Sequence, residues 1–415
     1  MITILTSGSR GDVQPYIALA SELKKAGQAV RIATFRNFEA LIKGAGVEFI
    51  PVQGDVEQAA ASLFSRSDGG ADNPIKVLLS FNKLKSLVYG LQKEFFEACA
   101  GSDAIVYHPG AAIGFFIAQQ LQVPGILAAP FPMTPTRAYP ALVFYQGPRL
   151  GGVYNYLTHK IFEQIMWSAA SGPVKQFWQA QFGRPPQDFG CPFPRQATRR
   201  CPTITACSNF VFPRPDDWPE HAYNTGYWFL DEASWQPSPD LLDFLDSGAP
   251  PVYVGFGSQG GGSAAGTAAL VIEALRLSGQ RGVLATGWNG MESIEHDPKK
   301  IFFLKSAPHA WLFPRMAALV HHGGAGTTAA GLRSGAPTTV IPFSNDQFAW
   351  ARRVFELGVA AKPLPRKNLT AERLAERIRS SLAPDRVAAA RLLGEKIRGE
   401  NGAGNAARII CESLA

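Results

Sequence analysis

The chain has 415 residues, 46% hydrophobic and 18% charged, the ordinary balance of a soluble globular protein. That length exceeds what one core usually fills, so two domains are expected. A formal charge of +7 suits an anionic small ligand or an acidic membrane surface, while the absence of a dense Lys/Arg patch argues against nucleic acid.

The apolar start, MITILTSG, is too short for a signal peptide and reads as a strand beginning at residue 2, with no membrane-targeting segment ahead of it. ITILTSG, VRIATF, VEFIPV, DAIVY and GILAAP are strand-length runs, and PYIALASELKKAG between the first two has helical spacing and stops at Gly27, a natural C-cap. No charged residue lies between Asp103 and Arg137, but Pro109, Pro124, Pro130, Pro132 and Pro135 break that stretch into strand, helix and strand, so a buried sheet is expected there and not a membrane span. Residues 137–182 are dense in aromatics, which either fill a core or form an apolar pocket or membrane-facing surface. The Pro- and Trp-rich stretch 211–240 reads as a connection. From residue 250 the pattern repeats in PPVYVGFGS, GVLATGW, IFFLKSA, AALVHHGG and TTVIPF. Two α/β units follow, each a doubly wound, Rossmann-like parallel sheet. Cys99, Cys191, Cys201, Cys207 and Cys411 are scattered without a CxxC pair and read as reduced cytosolic thiols.

Two strand-to-helix loops carry the chemistry. In GSRGDVQP, Gly8 and Gly11 flank a turn, Asp12 precedes a helix and Pro15 sits in its first turn. Asp12 is either a helix cap or a carboxylate presented at the end of the first strand, and spacing alone does not separate these readings. In ALVHHGGAGTTAAG, Gly323, Gly324 and Gly326 allow close backbone approach, His322 offers a donor, and Thr327 and Thr328 add hydroxyls at a helix start. Unpaired N–H groups and the helix dipole suit a diphosphate there. The loop lacks the lysine of GxxxxGK[ST] and is not GxGxxG, which disfavours P-loop hydrolysis and nicotinamide chemistry.

These loops belong to an ordered series: GSRGDVQPYIALASELKKAG, MTPTRAYP, GGVYNYLTHKIFE, FPRPDDWPEHAYNTGYWFLD, PPVYVGFGS, and APHAWLFPRMAALVHHGGAGTTAAGLRSGAPTTVIPF with the following DQ. The series resembles the family 1 glycosyltransferases of the GT-B fold, and more narrowly the sterol 3β-glucosyltransferases, nearly end to end. The resemblance implies two Rossmann-like domains facing each other across a cleft that closes on substrates. An acceptor-binding domain would span 1–212, a connection 213–245 and a nucleotide-sugar domain 246–383, with a helical segment 384–415 packing back on the first domain. It implies inverting transfer of glucose from UDP-glucose to the 3β-hydroxyl of a sterol or similar apolar alcohol, without metal or other cofactor. Glycosylation of another hydrophobic aglycone from a UDP- or dTDP-sugar is the alternative. A non-catalytic nucleotide-sugar or sterol-binding module is the reading from outside enzymes.

Within that resemblance Asp12 takes the acceptor proton. His108, at the end of DAIVYH, departs from the sterol-type pattern; it is either a complement to Asp12, as in the His–Asp pairs of plant relatives, or a structural histidine. His322, Gly324, Gly326, Thr327 and Ser258 would hold the diphosphate, Ala307 and His309 the uracil and ribose, and Asp346 and Gln347 the sugar hydroxyls. The alternative for the last two is a helix cap followed by a surface glutamine. Ser306 and Ala330 stand where plant small-molecule enzymes have tryptophan and glutamate, and FSNDQ replaces the FFGDQ common in sterol enzymes. The donor base and sugar are therefore left open. A cytoplasmic protein with weak peripheral membrane contact is expected, because a sterol acceptor resides in membrane.

Overall fold

A computed structural model describes residues 1–53, 85–196, 201–231, 235–256, 264–285, 295–343 and 346–415. Contacts divide the chain into two units, Met1–Leu230 with Glu400–Ala415, and Asp231–Gly399.

In the first unit, strands β1 (Ile2–Leu5), β2 (Val30–Phe35), β3 (Glu48–Val52), β4 (Ala104–Tyr107), β5 (Gly125–Ala129), β6 (Thr203–Thr205) and β7 (Ala222–Asn224) form one sheet. Its order is β3-β2-β1-β4-β5-β6-β7 and every pairing is parallel. Alternation within strands feeds two cores. Ile2 and Ile4 enter one with Tyr16, Ile17 and Ile410, whereas Leu5, Ile105 and Tyr107 enter the other with Phe116 and Trp178. A parallel sheet covered on both faces in this way reads as near-continuous apolar runs, which is why these strands are visible in the sequence. Pro51 is tolerated because β3 is an edge. The helices are α1 (Arg10–Lys25), α2 (Glu39–Gly44), α3 (Lys85–Ala98), α4 (Ile113–Leu121), α5 (Gly152–Phe182) and α6 (Phe193–Gln196), joined by the C-terminal helix Gly402–Leu414. The uncharged stretch after Asp103 is strand β4, helix α4 and strand β5. Among the described residues no helix is long and apolar enough to cross a membrane.

The stretch read as a connection contributes to this unit. β7 pairs with β6, and Asp217 and Trp218 of PDDW clamp the MTPTR loop. Asp217 accepts from the Thr136 hydroxyl at 2.5 Å and from the Arg137 N–H at 2.7 Å, and the Trp218 indole donates to the Thr134 carbonyl at 3.1 Å.

The second unit repeats the plan with β8 (Val252–Gly255), β9 (Gly282–Ala285), β10 (Ile301–Leu304), β11 (Ala318–His321) and β12 (Thr338–Val340), in the parallel order β10-β9-β8-β11-β12. Its helices are α7 (Pro239–Asp246), α8 (Ala264–Ser278), α9 (His309–Leu312), α10 (Ala325–Ser334), α11 (Gln347–Glu356), α12 (Ala371–Ser381) and α13 (Pro384–Arg398). Val252 and Val254 pack on α8 and α12, while Tyr253 and Leu319 pack on the opposite face with Phe244 and Phe313. Residues 384–415 are thus shared between the units: α13 lies in the second, and the C-terminal helix packs Ala406, Ala407 and Ile410 into the core beneath α1 of the first.

Candidate active site

Strand order reverses at β1/β4 in the first sheet and at β8/β11 in the second, and ligands of open α/β sheets bind beyond the carboxyl ends of strands at such points. Asp12 and His108 follow β1 and β4, and His322, Gly324, Gly326 and Thr327 follow β11. Ala307 and His309 instead follow β10, and Asp346 and Gln347 follow β12, the two edges of the second sheet.

In the first unit Ser9 is the N-cap of α1, so the helix starts earlier than expected and Asp12 is its third residue. Pro15 is correspondingly the sixth residue of the helix, not part of its first turn. It has no N–H to return to the Gly11 carbonyl. Asp12 Oδ2 accepts from the Ser9 N–H at 2.8 Å and from the Ser9 hydroxyl at 2.9 Å. Gly8 makes room for this carboxylate: its φ is +134°, and a Cβ there would sit 2.4 Å from Oδ2. Asp12 therefore does cap the helix, but with one oxygen. The other, Oδ1, lies 3.7 Å from His108 Nε2 at the end of β4, and the Asp12 side chain is one-third exposed (33%).

The Gly110 N–H donates to His108 Nδ1 at 2.9 Å, which puts the ring proton of the neutral histidine on Nε2, facing Asp12. Nε2 is buried and has no hydrogen-bond partner among the described residues, its 3.7 Å approach to Asp12 being too long for one. Burial lowers the His108 pKa from its ordinary value, and the Asp12 charge offsets that only in part. Behind the ring, Tyr16 packs edge-on to His108 at 5.9 Å and to Trp228 at 5.7 Å, and its hydroxyl donates to the Ala128 carbonyl. The structure thus brings Asp12 and His108 together. Sequence reasoning missed Tyr16 and Trp228, whose roles in the wall depend on contacts between distant segments.

In the second unit β11 delivers the double histidine. His321 is fully buried: its Nδ1 accepts from the Gly323 N–H at 3.0 Å, so its Nε2–H donates to Thr338 Oγ1 at 2.8 Å. Burial pushes its pKa down to about 3, and the neighbouring His322 and His309 act in the same direction. Gly323 turns with φ +91°, and a Cβ there would meet Val340 Cγ1 at 2.7 Å and the Gln347 carbonyl at 3.0 Å. The loop is thereby pressed against the start of α11. His322 lies over Gly324, where a Cβ would come within 2.6 Å of Nε2. Its Nδ1 is buried without a hydrogen-bond partner, and burial lowers its pKa to about 4, leaving a neutral ring with one N–H to donate.

Gly324 is the N-cap of α10, supplies no side-chain cap, and is followed by a first turn without an acidic residue. The first intrahelical bond runs from the Thr328 N–H to the Gly324 carbonyl at 2.9 Å. The N–H groups of Ala325, Gly326 and Thr327 therefore have no acceptor within the helix, the geometry that receives an anion.

Asp346 and Gln347 begin α11 beside this loop. Asp346 Oδ2 accepts from the Trp350 indole at 3.1 Å, and Gln347 Oε1 accepts from the Phe343 N–H at 2.8 Å. Gln347 is buried, not the surface residue of the alternative reading. Ala307 packs on the core below, and His309 opens α9, stacked on Phe313 at 4.2 Å; α9 packs against α10. Ser258 lies outside the described residues. The residue that sequence reasoning missed here is His321, for which the strand alternation with Leu319 was the available signal.

Residues 2–140 match the Glycosyltransferase family 28 N-terminal domain, and residues 281–406 match the Erythromycin biosynthesis protein CIII-like C-terminal domain. The first of these is by its description a glycosyltransferase domain. The chain belongs to the GT-B glycosyltransferases. It is 36% identical to a sterol 3-beta-glucosyltransferase of Cryptococcus neoformans, covering 100% of this chain and 27% of that protein. With a sterol 3-beta-glucosyltransferase of Arabidopsis thaliana the identity is 33%, covering 97% of this chain and 66% of that protein. This chain thus spans under a third of the fungal relatives and about two thirds of the plant one. Among solved structures, the glycosyltransferase of kitacinnamycin aligns with TM-score 0.73 at 20% identity, covering 100% of this chain and 99% of that one. The glycosyltransferase VinC, in complex with dTDP, aligns with TM-score 0.69 at 17% identity, covering 100% and 99%. These likenesses establish the GT-B fold.

Proposed function

We propose that this GT-B glycosyltransferase moves glucose from UDP-glucose to the 3β-hydroxyl of a sterol, inverting the anomeric configuration. The observation that carries the reading is the alignment of the whole chain with sterol 3-beta-glucosyltransferases of fungi and a plant at 33–36% identity. In this reading Asp12 Oδ1 takes the acceptor proton as the new C–O bond forms, while Oδ2, held by Ser9, fixes the carboxylate. The His108 Nε2–H faces Oδ1 across 3.7 Å and would draw close to it as the carboxylate takes up its working position. The departing diphosphate is received by the N–H groups that open α10 and by His322, with Ser258 as a further contact. Asp346 and Gln347 address the sugar, and Ala307 and His309 the nucleoside. Helix dipole and neutral donors meet the leaving-group charge in this scheme, which calls for no metal. We place the reaction in the cytoplasm at a membrane surface.

A dTDP-sugar and another apolar alcohol form the second reading, favoured by Ser306 and Ala330 and by the dTDP bound to the similarly folded VinC. Purified protein given UDP-glucose or dTDP-glucose with a sterol panel distinguishes the two by product mass and nucleotide release. Sterol glucoside formed from UDP-glucose is expected, with kcat falling about 100-fold or more in Asp12→Asn. Activity retained in EDTA is expected as well. A product confined to dTDP-sugars or to non-sterol alcohols would replace the proposal.

A further inference from the structure

The N-terminal half of α5 has its polarity reversed. Its inward face carries Asn155, Thr158 and His159, all buried and bonded to the loop that the PDDW segment clamps. Asn155 donates to the Arg137 carbonyl at 2.9 Å, Thr158 Oγ1 accepts from the Ala141 N–H at 2.9 Å, and His159 Nε2 faces the Tyr139 carbonyl at 3.0 Å. Its outward face is apolar instead. Leu150 just before the helix is 66% exposed, Val153 65%, Leu157 52%, Ile161 50% and Tyr156 39%. Val153, Leu157 and Ile161 recur every four residues, a stripe of about 12 Å along one side. The C-terminal half of the same helix is conventional, with Trp167, Val174, Phe177 and Trp178 in the core. Contiguous exposed apolar surface of this kind marks an interaction site.

Charge identifies the occupant. Between Asp103 and Glu163 the chain has three cations, Arg137, Arg149 and Lys160, and no Asp or Glu. Arg137 and Arg149 are exposed beside the stripe, and Lys160 extends over the Tyr156 ring at 5.6 Å. Glu163, buried against Lys160 at 3.0 Å, answers that cation, and Asp217 holds Thr136 and the Arg137 N–H. The positive charge of the rim therefore rests on Arg137 and on Arg149, whose guanidinium lies over the Tyr145 ring at 4.4 Å. A second copy docking through the same face would set these cations against their own equivalents. An anionic bilayer matches both the apolar stripe and its basic rim.

We propose that the stripe Leu150–Val153–Leu157–Ile161 docks this protein on an anionic lipid bilayer. The inference deepens the sterol reading, whose acceptor resides in such a bilayer. Its test compares the protein with a Val153→Ser, Leu157→Ser, Ile161→Ser variant in cosedimentation with phosphatidylcholine vesicles, with and without phosphatidylglycerol. Since the altered side chains are solvent-exposed, an unchanged melting curve is expected. The unaltered protein should partition to the anionic vesicles, and the variant should bind them roughly ten-fold less or weaker still. Glucoside formation should fall in the variant when the sterol is in vesicles and persist when cyclodextrin delivers it. Equal vesicle binding by both proteins overturns the inference, as does a concentration-dependent dimer lost in the variant. Vesicle binding lost in the variant while neither protein glucosylates any sterol keeps the docking surface and sinks the sterol reading.

Discussion

The two strand-end loops share one plan, a buried parallel strand running through glycines into a helix, yet their helix N-termini are used in opposite ways. At α1 the chain supplies its own anion: Asp12 in the first turn accepts from Ser9, so the positive end of that helix is already answered. At α10 the cap is Gly324, the first turn has no carboxylate, and His322 leans over the opening with a neutral ring. One helix start orients a carboxylate, and the other has no acidic side chain in its first turn. The difference rests on a few side chains, which makes it easy to perturb.

The largest effect should come from making the second loop like the first. Thr327→Asp places a carboxylate at the third position of α10, the position that Asp12 holds in α1. UDP affinity measured by calorimetry should fall about 100-fold or more, since an attractive N-terminus acquires its own anion and repels the diphosphate. Thermal stability should hold or rise, as expected of an acidic residue in a first turn. Unchanged UDP affinity would remove the α10 N-terminus from the donor site.

A smaller effect is expected at His108. In His108→Asn the side-chain oxygen can still accept from the Gly110 N–H, while the Nε2–H facing Asp12 disappears. We expect kcat to fall roughly ten-fold with donor KM unchanged, a modest share of what acid–base positioning contributes. A full-rate variant would leave His108 as a brace for its own loop.

The smallest effect is on stability. His321 titrates at about 3 in the folded protein, against roughly 6.5 when unfolded. The unfolded chain therefore binds the additional proton between those values. The contribution of His321 is full above about pH 6.5 and is lost as pH falls toward its folded pKa, with a slope of up to about 1.4 kcal/mol per pH unit. Denaturant melts of His321→Asn from pH 7 to 4 should show a shallower decline than the unaltered protein. The variant should be less stable at pH 7, because Thr338 loses its partner. An identical slope would mean that His321 is not held neutral.

Much of the fold was legible before any coordinates. All ten apolar runs read as strands are strands, because a sheet buried on both faces demands continuous hydrophobicity. β6 and β7 escaped notice: TIT and AYN are three residues each, and pairing alongside β5 makes them strands. The glycine-rich loop after β11 was equally plain, since small residues between a strand and a helix have few other uses. Asp12 could be named but its role could not be divided, because the competing uses concern different oxygens of one carboxylate. The reversed face of α5 was hidden for a related reason. Its apolar residues have helical spacing whichever side they occupy, and only the loop bonded to Asn155, Thr158 and His159 decides which side is inside.

By itself, then, the sequence determined the two parallel sheets, the loops at their strand ends and the residue types those loops present. Periodicity and backbone permissiveness are local properties, written in neighbouring residues. The tertiary structure decided which atoms of those residues are spent on the fold and which remain for chemistry. It paired His108 with the unspent oxygen of Asp12, buried Gln347 and His321, and divided the C-terminal helices between the units. Each of these outcomes depends on a contact between segments distant in sequence, and no local pattern encodes it.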